Sequence, residues 1–383
     1  MTARPYAVVT GGGTGGHVSP ALAVGEALVR AGHPRSSVVF AGGRRGIEGR
    51  LVPEAGFALH RLPGRGIKRQ LSADNLSSAL GLGAAVVMAF GLALRERPRV
   101  VVSVGGYAGL AYGLAAVALR IPLVVVNVDA VPGAVNRLLG RFAAANAVAL
   151  PGTPLPGATV TGAPVRDAVL AVRRSPEQSE AVRARLGTGR GRRLVVVTGG
   201  SLGAGSLNAA ALELADRWRE RSDLALYHLA GERNLESVTE EAETRGLLEP
   251  GRGLEYRLAG FDPALVEALA ACDVAVCRAG ASTVAELTAV GVPSVLVPLP
   301  GAPGDHQTRN AEALANAGAA VLLADRELTG DRLGEVLERL VDKPGQLEEM
   351  GEAARSLGHR EAAAEVARMA QAAADARTSR RKR

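Results

Sequence analysis

A glycine-rich run at residues 11–17, with the letters GGGTGGH, carries the most distinctive chemistry of this chain. It follows the short β-branched segment Ala7–Thr10 and precedes an Ala/Leu-rich segment, a pattern that predicts a strand, a loop and a helix beginning near Ser19-Pro20. Glycines let a phosphate approach the backbone, and a helix N-terminus offers N–H groups to an anion. No Lys-Ser/Thr pair closes the run, so the loop lacks the cation and the magnesium ligand of a P-loop.

His17 ends this run and is the titratable group best placed for catalysis. Open α/β sheets bind ligands at the carboxyl ends of their strands, which is where the loop stands. A neutral imidazole there could remove a proton from a hydroxyl group, because its ordinary pKa lies near 6.5. The alternative is a histidine that caps the helix or orients a substrate, and the sequence leaves both roles open.

Two similar segments stand in the second half, GGSLGA at 199–204 and CRAGASTVAE at 277–286. Ser201 with nearby backbone amides could bind a second anion, and a helix starting at Ala281 could bind another. Glu286 could accept hydrogen bonds from two vicinal ribose hydroxyls, or could serve only as a charge that complements the helix dipole. The chain contains no Asp-x-Asp, so we expect neither a metal nor another cofactor; helix dipoles and Arg166 would balance a diphosphate.

Short apolar runs alternate with Ala/Leu-rich segments along the whole chain and predict the elements that position these loops. Continuous β-branched runs bounded by Gly and Pro are typical of buried parallel strands in βαβ units. The fold class is therefore α/β, doubly wound. The predicted strands are 7–10, 38–41, 100–104, 123–128, 194–198, 224–229, 274–277 and 294–297.

A repeated sequence motif divides the chain into two Rossmann-like halves. The letters VVTGG occur at 8–12 and again at 196–200, each time before further glycine and a helical segment. A Pro- and Gly-rich stretch at 151–164 and a basic stretch at 173–193 mark the boundary between the halves. We expect one domain at 1–165, a second at 166–358, and a helix with a basic tail at 359–383 that packs back on the first.

Composition narrows the partners and the compartment. The 383 residues are 47% apolar and carry a net charge of +7, which favours an anionic partner such as nucleic acid, lipid headgroups or a phosphorylated substrate. Nucleic acid is disfavoured because no basic strand with interleaved aromatics and no helix-turn-helix pattern is present. Cys272 and Cys277 fit neither a disulfide framework nor a metal site, so we expect buried free thiols.

Length and charge leave two further features to interpret. The charge-free stretches 75–94 and 100–119 contain internal glycines or a strand–turn–helix pattern, so neither predicts a transmembrane helix. The N-terminal apolar run is too short for a signal peptide, which favours the cytoplasm.

The motifs GGGTGGHVSPALA, GGYAG, GAPVR, GGSLGA, CRAGASTVAEL and GDHQTRNA, in this order over some 300 residues, resemble the MurG family. The resemblance implies a GT-B fold of two Rossmann-like domains and a metal-independent, inverting glycosyltransferase. Such an enzyme moves GlcNAc from UDP-GlcNAc to the muramyl 4-hydroxyl of lipid I, giving lipid II for peptidoglycan and cell-wall synthesis. It also implies a peripheral location on the cytoplasmic face of the cell membrane.

The resemblance assigns roles to residues in both halves. His17 would be the catalytic residue that faces the acceptor hydroxyl, with Asp129 as a possible partner or rival base. The residues implied at the donor are Thr14, Gly15, Gly16, Asp129, Arg166, Ser201, Phe261, Asp262, Ala281, Ser282, Thr283, Val284, Ala285, Glu286, His306 and Gln307. The residues implied on the acceptor side are Gly105, Gly106, Tyr107 and Asn136.

One departure from the family leaves the acceptor open. The family usually carries His-Glu-Gln-Asn where this chain reads VNVD at 126–129, so Asn127 replaces a Glu and Asp129 replaces an Asn. The chain is therefore either a divergent member or a relative that glycosylates another lipid or natural product. A UDP-GlcNAc 2-epimerase, which also pairs two Rossmann domains, is the alternative from another enzyme class.

A membrane surface is a further expected partner. A lipid-linked acceptor requires contact with the anionic inner membrane surface. The basic residues of 65–69 and the apolar helix 76–94 are the predicted contact.

Overall fold

The computed structural model divides the chain into two compact units, and each is described by itself. Unit 1 comprises Met1–Asp167 and His359–Arg383, and unit 2 comprises Ala168–Gly358. The structure describes residues 4–12, 15–44, 46–64, 73–189, 191–200, 203–249, 253–343 and 345–382. For residues 15, 73–79 and 380–382 it describes the backbone only.

Strands and helices alternate through both units. The strands are β1 (Ala7–Thr10), β2 (Val38–Gly43), β3 (Ala58–Leu62), β4 (Val100–Ser103), β5 (Leu123–Asn127), β6 (Ala145–Val148), β7 (Ala158–Val160), β8 (Arg193–Thr198), β9 (Leu224–Leu229), β10 (Glu255–Ala259), β11 (Val274–Cys277), β12 (Ser294–Leu296) and β13 (Ala320–Leu322). The helices are α1 (Gly15–Arg30), α2 (Glu48–Glu54), α3 (Ala73–Glu96), α4 (Gly106–Ala118), α5 (Ala134–Leu139), α6 (Asp167–Ala171), α7 (Pro176–Leu186), α8 (Gly205–Arg217), α9 (Leu235–Thr244), α10 (Leu265–Ala271), α11 (Ala281–Val290), α12 (His306–Asn316), α13 (Gly330–Val341), α14 (Gln346–Ser356) and α15 (Ala362–Lys382).

Each unit is built on one parallel sheet whose strand order reverses at its centre. Unit 1 has the order β3-β2-β1-β4-β5-β6-β7, and unit 2 has β10-β9-β8-β11-β12-β13. Thr10 at the end of β1 lies beside Ser103 of β4, and Thr198 at the end of β8 lies beside Cys277 of β11. These pairs mark the switch points where doubly wound sheets bind ligands. The predicted fold class, two doubly wound parallel-sheet domains, is confirmed.

The inner strands form the cores, because both of their faces are covered by helices. In unit 1 all of β1, β2, β4 and β5 is buried, and α3 packs on α4 while α15 packs on α1. In unit 2 Trp218, at the end of α8, is the largest fully buried side chain. Its indole N–H donates to Glu338 Oε1 at 2.9 Å, so the packing of α13 on α8 leaves no polar hydrogen of the indole unpaired.

The sequence missed five strands, and four of them are the sheet edges β3, β7, β10 and β13. An edge strand faces solvent along one side, so it needs no long apolar run, and β13 has only three residues. All three residues of β7 are exposed, and β10 has one buried residue among five. The fifth, β6, is an inner strand of alanine, asparagine and valine, residue types of mostly low β propensity.

The predicted start of α1 is wrong by one turn. The helix begins at Gly15, and Pro20 lies inside it rather than at its first position. A Cβ on Gly11 would lie 2.6 Å from the carbonyl oxygen of His17, closer than real Cβ atoms approach backbone. The helix therefore starts against the end of β1 because of tertiary packing, which the low helix propensity of glycine does not predict.

The cysteines and the charge-free stretches agree with the sequence predictions. Cys272 and Cys277 are buried free thiols, and burial raises the pKa of each to about 12, so both stay protonated at neutral pH. Residues 75–94 belong to α3, and 100–119 form β4 and α4. Within the described part of the chain, no helix has the length and apolar character that crossing a membrane requires.

A buried polar network in unit 2 connects α8, β9 and β10. His228 is fully buried, and its ring nitrogens contact Asn208 Oδ1 at 3.0 Å and the Tyr256 hydroxyl at 2.8 Å. The amide nitrogen of Asn208 donates to the carbonyl of Ala230, which leaves Oδ1 to accept from Nε2–H. Burial lowers the pKa of His228 to about 4, so the ring is neutral.

Acidification should destabilise the protein through His228. In the unfolded chain the imidazole takes up a proton near pH 6.5, whereas the folded state resists protonation down to about pH 4. Stability is therefore full above pH 6.5 and falls as the pH drops through this window, by up to roughly 3 kcal/mol. Urea unfolding at several pH values measures the effect, and His228→Gln should flatten it.

The exposed His359 supplies the control. His359→Gln should keep the pH dependence of the wild type. An equally steep pH dependence in His228→Gln would show that other groups cause the acid sensitivity.

Candidate active site

Several predicted site residues of unit 1 follow the carboxyl ends of β1, β4 and β5. His17 lies in the first turn of α1, Tyr107 lies in the first turn of α4, and Asp129 stands two residues after β5. Adjacent strands lie about 4.8 Å apart, so the ends of β1 and β5 are separated by about 10 Å. Thr14 lies outside the described residues, as does Ser201 in unit 2.

The loops after β1 and β4 meet at a contact that requires glycine. A Cβ on Gly106 would lie 2.7 Å from the carbonyl oxygen of Gly12. Gly105 and Gly106 also have φ of 107° and 73°, which other residues rarely adopt. These glycines therefore bring the two loops together and aim the N-termini of α1 and α4 at the same edge of the sheet.

Tyr107 is held beside this contact. Its hydroxyl donates to the carbonyl of Leu62 at 3.1 Å, which anchors the first turn of α4 to β3. Burial, and then the negative charge of Glu48, raise the pKa of Tyr107 to about 12. Tyr107 is therefore a neutral hydrogen-bond donor, and not a base, at cellular pH.

The replacement of the family's Glu by Asn127 matches the local geometry. The Asn127 amide nitrogen donates to the carbonyl of Asp129 at 2.6 Å, and its oxygen accepts from the Asn136 amide at 3.0 Å. A carboxylate at 127 could not donate the first of these bonds. Asn136 is buried and a Cβ on Gly105 would lie 3.0 Å from its Oδ1, so Asn136 acts on the site by holding two loops together.

Arg166 lies in unit 1, one residue before α6. Its Nε is buried without a hydrogen-bond partner. Its charge acts on Glu26 of α1, whose pKa is raised mainly by burial and lowered in part by Arg166. Arg166 is thus a guanidinium held next to the helix that carries His17.

The predicted site residues of unit 2 also gather at the carboxyl edge of its sheet. The loop after β10 carries Phe261, α11 begins at Ala281 directly after the loop of β11, and α12 begins at His306. The hydroxyl of Ser282, in the first turn of α11, is buried without a hydrogen-bond partner. A buried hydroxyl beside unpaired helix N–H groups is suited to a phosphate oxygen.

The carboxylate of Asp262 is held by contacts within unit 2. The carboxylate is buried, accepts from the Ala264 N–H at 2.8 Å and from the Tyr227 hydroxyl at 3.1 Å, and pairs with Arg185. Phe261 beside it is 56% exposed. The carboxylate therefore anchors the loop that carries Phe261.

His306 and Gln307 are oriented by the strained turn that precedes α12. Asp305 has φ 52°, a left-handed conformation, and its carboxylate accepts from the Thr308 hydroxyl at 2.7 Å. His306 Nδ1 donates to the carbonyl of Pro303 at 2.8 Å. Gln307 accepts from the Leu299 N–H through Oε1 at 2.9 Å, which leaves its amide nitrogen to donate.

Sequence reasoning did not single out Arg278, the first residue after β11. Its guanidinium pairs with Asp325 at 2.6 Å and donates to the Ser206 hydroxyl at 2.9 Å and to the carbonyl of Val297 at 3.2 Å. It thereby ties the loop before α11 to the start of α8. The sequence signal that could have found it was an arginine directly after a buried strand. A charge at such a position needs a partner, and here the partner, Asp325, is distant in sequence.

Two doubly wound parallel sheets, each with glycine-rich loops at its switch point, are the architecture expected of GT-B glycosyltransferases. The chain matches the glycosyltransferase family 28 N-terminal domain over residues 7–148 and the family 28 C-terminal domain over 194–366. A relative from Alkalilimnicola ehrlichii, named UDP-N-acetylglucosamine–N-acetylmuramyl-(pentapeptide) pyrophosphoryl-undecaprenol N-acetylglucosamine transferase, is 41% identical over 94% of this chain and 97% of its own.

Solved structures agree. MurG from Acinetobacter baumannii superposes with a TM-score of 0.75 and 27% identity over 96% of this chain and 99% of its own. UDP-GlcNAc 2-epimerase from Neisseria meningitidis, at a TM-score of 0.66, 15% identity, and coverage of 95% of this chain and 99% of its own, shares the fold alone. The chain belongs to glycosyltransferase family 28 and, within it, to the MurG family, so the resemblance found in the sequence is confirmed.

Glu286→Ala should weaken binding of the donor UDP-GlcNAc without unfolding unit 2. Glu286 lies in the second turn of α11, near the buried Cys277. A charge-assisted bond to ribose hydroxyls is worth about 1.5–3 kcal/mol, so KM for UDP-GlcNAc should rise about 10-fold or more. Steady-state kinetics measure this, and the exposed Glu240→Ala on α9 is the control.

The same assay tests metal independence. EDTA should leave the rate unchanged. Activity lost with EDTA and restored by manganese would contradict a diphosphate bound only by helix N-termini and arginine.

Proposed function

We propose that this glycosyltransferase moves GlcNAc from UDP-GlcNAc to the muramyl 4-hydroxyl of lipid I and so makes lipid II. The observation that carries the proposal is that each unit has a helix start at its switch point, α1 with His17 in unit 1 and α11 in unit 2. His17 would accept the proton of an acceptor hydroxyl, and the N-terminus of α11 would bind the donor phosphate. The named relative at 41% identity supports this substrate pair.

The donor diphosphate would be bound without a metal. The N-terminus of α11, with the unpartnered Ser282 hydroxyl, would accept one phosphate, and Arg166 with the backbone of Gly15 and Gly16 would balance the remaining charge. The loop of Phe261 would contact the uracil, and Glu286 the ribose. His306 and Gln307 would bind the hydroxyls of GlcNAc.

The transfer would be a single inverting displacement. The 4-hydroxyl oxygen attacks C1 of GlcNAc, the bond from C1 to the diphosphate oxygen breaks, and UDP leaves with that electron pair. His17 takes the hydroxyl proton, because a neutral imidazole is a competent base at cytoplasmic pH. The helix N-terminus stabilises the negative charge that develops on the leaving phosphate.

The direct test uses the purified protein, UDP-GlcNAc and a lipid I analogue. UDP should be released only when the acceptor is present, and the product should carry one added GlcNAc. Release that depends on another lipid acceptor would place the chain among MurG-like enzymes of different specificity. Conversion of UDP-GlcNAc to its C2 epimer with no acceptor would identify an epimerase and overturn the proposal.

His17→Ala should damage the chemical step. Loss of a general base lowers kcat by roughly 10²–10⁴, while KM for UDP-GlcNAc should stay within a few-fold because the donor is bound by other groups. Rapid-quench or steady-state kinetics separate the two parameters. Retention of most of kcat would mean that His17 only orders its loop.

Asp129→Asn decides the role of the carboxylate that this chain carries in place of the family's amide. A near-normal kcat would leave His17 as the base. A loss as large as that of His17→Ala would make Asp129 part of the catalytic unit, as a dyad partner of His17 or as the base.

We also propose that unit 1 binds the anionic inner surface of the cell membrane, which would place the enzyme peripherally on its cytoplasmic face. Leu80, Val87 and Leu94 are seven residues apart on α3 and are exposed by 70%, 73% and 46%, with Phe90 close to the same face. Arg95 adds a well-exposed charge at the end of this stripe. Exposed apolar area beside basic charge favours shallow insertion into an anionic bilayer. The basic residues predicted for this contact, Arg65, Lys68 and Arg69, lie outside the described residues.

Val87→Glu should reduce co-sedimentation with vesicles that contain anionic lipid, because it places a carboxylate in the apolar stripe. Binding of the wild type should also fall with salt, as surface charges are screened. Leu248→Glu, at an exposed leucine of unit 2, is the control. Equal binding of both variants and of the wild type would move the membrane contact elsewhere.

A further inference from the structure

Glu48, the first residue of α2, is an acidic residue that has no role in the proposed mechanism and belongs to none of the sequence motifs. It is 1% exposed, although burying a carboxylate costs several kcal/mol unless hydrogen bonds and charges compensate. Its Oε1 accepts from the N–H of Gly43 at 2.6 Å. Such a buried acid at the carboxyl edge of the sheet in unit 1 calls for a role.

Four glycines make room for this carboxylate: one in the loop after β1, two at the end of β2 and one in the loop that follows β2. A Cβ on Gly12 would lie 2.6 Å from Oε1, a Cβ on Gly42 would lie 2.5 Å from Cγ, and a Cβ on Gly46 would overlap Oε2. Gly43, the donor to Oε1, would bring its Cβ to 3.1 Å from the same oxygen. Side chains at these positions would displace Glu48, so the glycines and the acid form one packed group.

This group touches the three loops that follow β1, β2 and β4. Gly12 belongs to the loop that leads into α1 and His17, and its carbonyl oxygen faces Gly106 on its other side. Tyr107 follows Gly106, and the Glu48 charge contributes to its raised pKa. The backbone of Gly12 is therefore enclosed between the Glu48 carboxylate and the start of α4.

We propose that Glu48 is a positioning residue for the transfer: it holds the loop after β1 so that His17 meets the acceptor hydroxyl. The carboxylate fills the space between the four glycines. Its Oε1 accepts from the N–H of Gly43 in β2 and also packs against Gly12. This inference rests on the proposed function, since it assigns Glu48 to the step in which His17 accepts a proton.

Kinetics of Glu48→Ala and the isosteric Glu48→Gln test the proposal. We expect Glu48→Ala to lower kcat at least 10-fold, with Glu48→Gln between it and the wild type, while KM and Kd for UDP-GlcNAc stay within twofold. Glu54→Gln, on the same helix but exposed, should behave as the wild type. A kcat within twofold in Glu48→Ala, or a matching loss of UDP-GlcNAc binding that reports general unfolding, would overturn it.

A double-mutant cycle tests the shared contact directly. Gly12→Ala in the wild type pushes a Cβ against Glu48 and should lower kcat, but in the Glu48→Ala background the same Cβ has space and should cost less than twofold more. Multiplicative losses in the double variant would show that the two residues act separately and would overturn the proposal.

Hydrogen exchange separates a failure of this inference from a failure of the proposed function. Glu48→Ala should speed exchange of the Gly43 amide and of the loop after β1, whatever the acceptor is, and Glu54→Gln should not. Unchanged exchange would overturn the positioning role even if transfer to lipid I is found. Faster exchange without transfer to lipid I would keep the structural role and refute only the acceptor.

Discussion

Close approach of backbone to backbone at the switch point of unit 1 is the constraint on which the site depends. The carbonyl of Gly12 lies where a Cβ of Gly106 would reach it at 2.7 Å, and the carbonyl of His17 lies where a Cβ of Gly11 would reach it at 2.6 Å. Side chains at these glycines would separate β1, α1 and α4 by ångströms. A proton transfer requires heavy atoms within about 3 Å, so such a shift would prevent the proton transfer that we propose for His17.

In unit 2 an ion pair, as well as glycines, holds the loops at the switch point in place. Arg278 and Asp325 are 12% and 19% exposed, and Ser206 and two backbone carbonyls add hydrogen bonds to the pair, while Arg278 Nε is buried without a partner. The partners of a partly buried ion pair offset part of the cost of removing its charges from water. The network joins the starts of α8 and α11, whose N-termini face the same edge of the sheet.

The loop after β5 shows how a departure from the family pattern can be accommodated. Asn127 donates to one loop carbonyl and accepts from Asn136, so an amide satisfies both partners where a carboxylate could satisfy one. The charge that a carboxylate would bring stands instead at Asp129, two residues later. Removing either asparagine amide would leave a buried polar group without its partner, which costs about 1–3 kcal/mol.

The sequence by itself determined the fold class, the inner strands except β6, and the motifs of the family. Strands buried on both faces are mostly apolar, and loops that approach a ligand or another backbone contain glycine. Both features can therefore be recognised in short stretches of sequence. Tertiary structure decided the edge strands β3, β7, β10 and β13, the start of α1, and the roles of Glu48, Asn136 and Arg278. An edge strand is defined by its neighbour rather than by its own residues, and a buried charge is tolerated only because residues distant in sequence surround it. No local pattern encodes those partners, because the chain brings them together only when it folds.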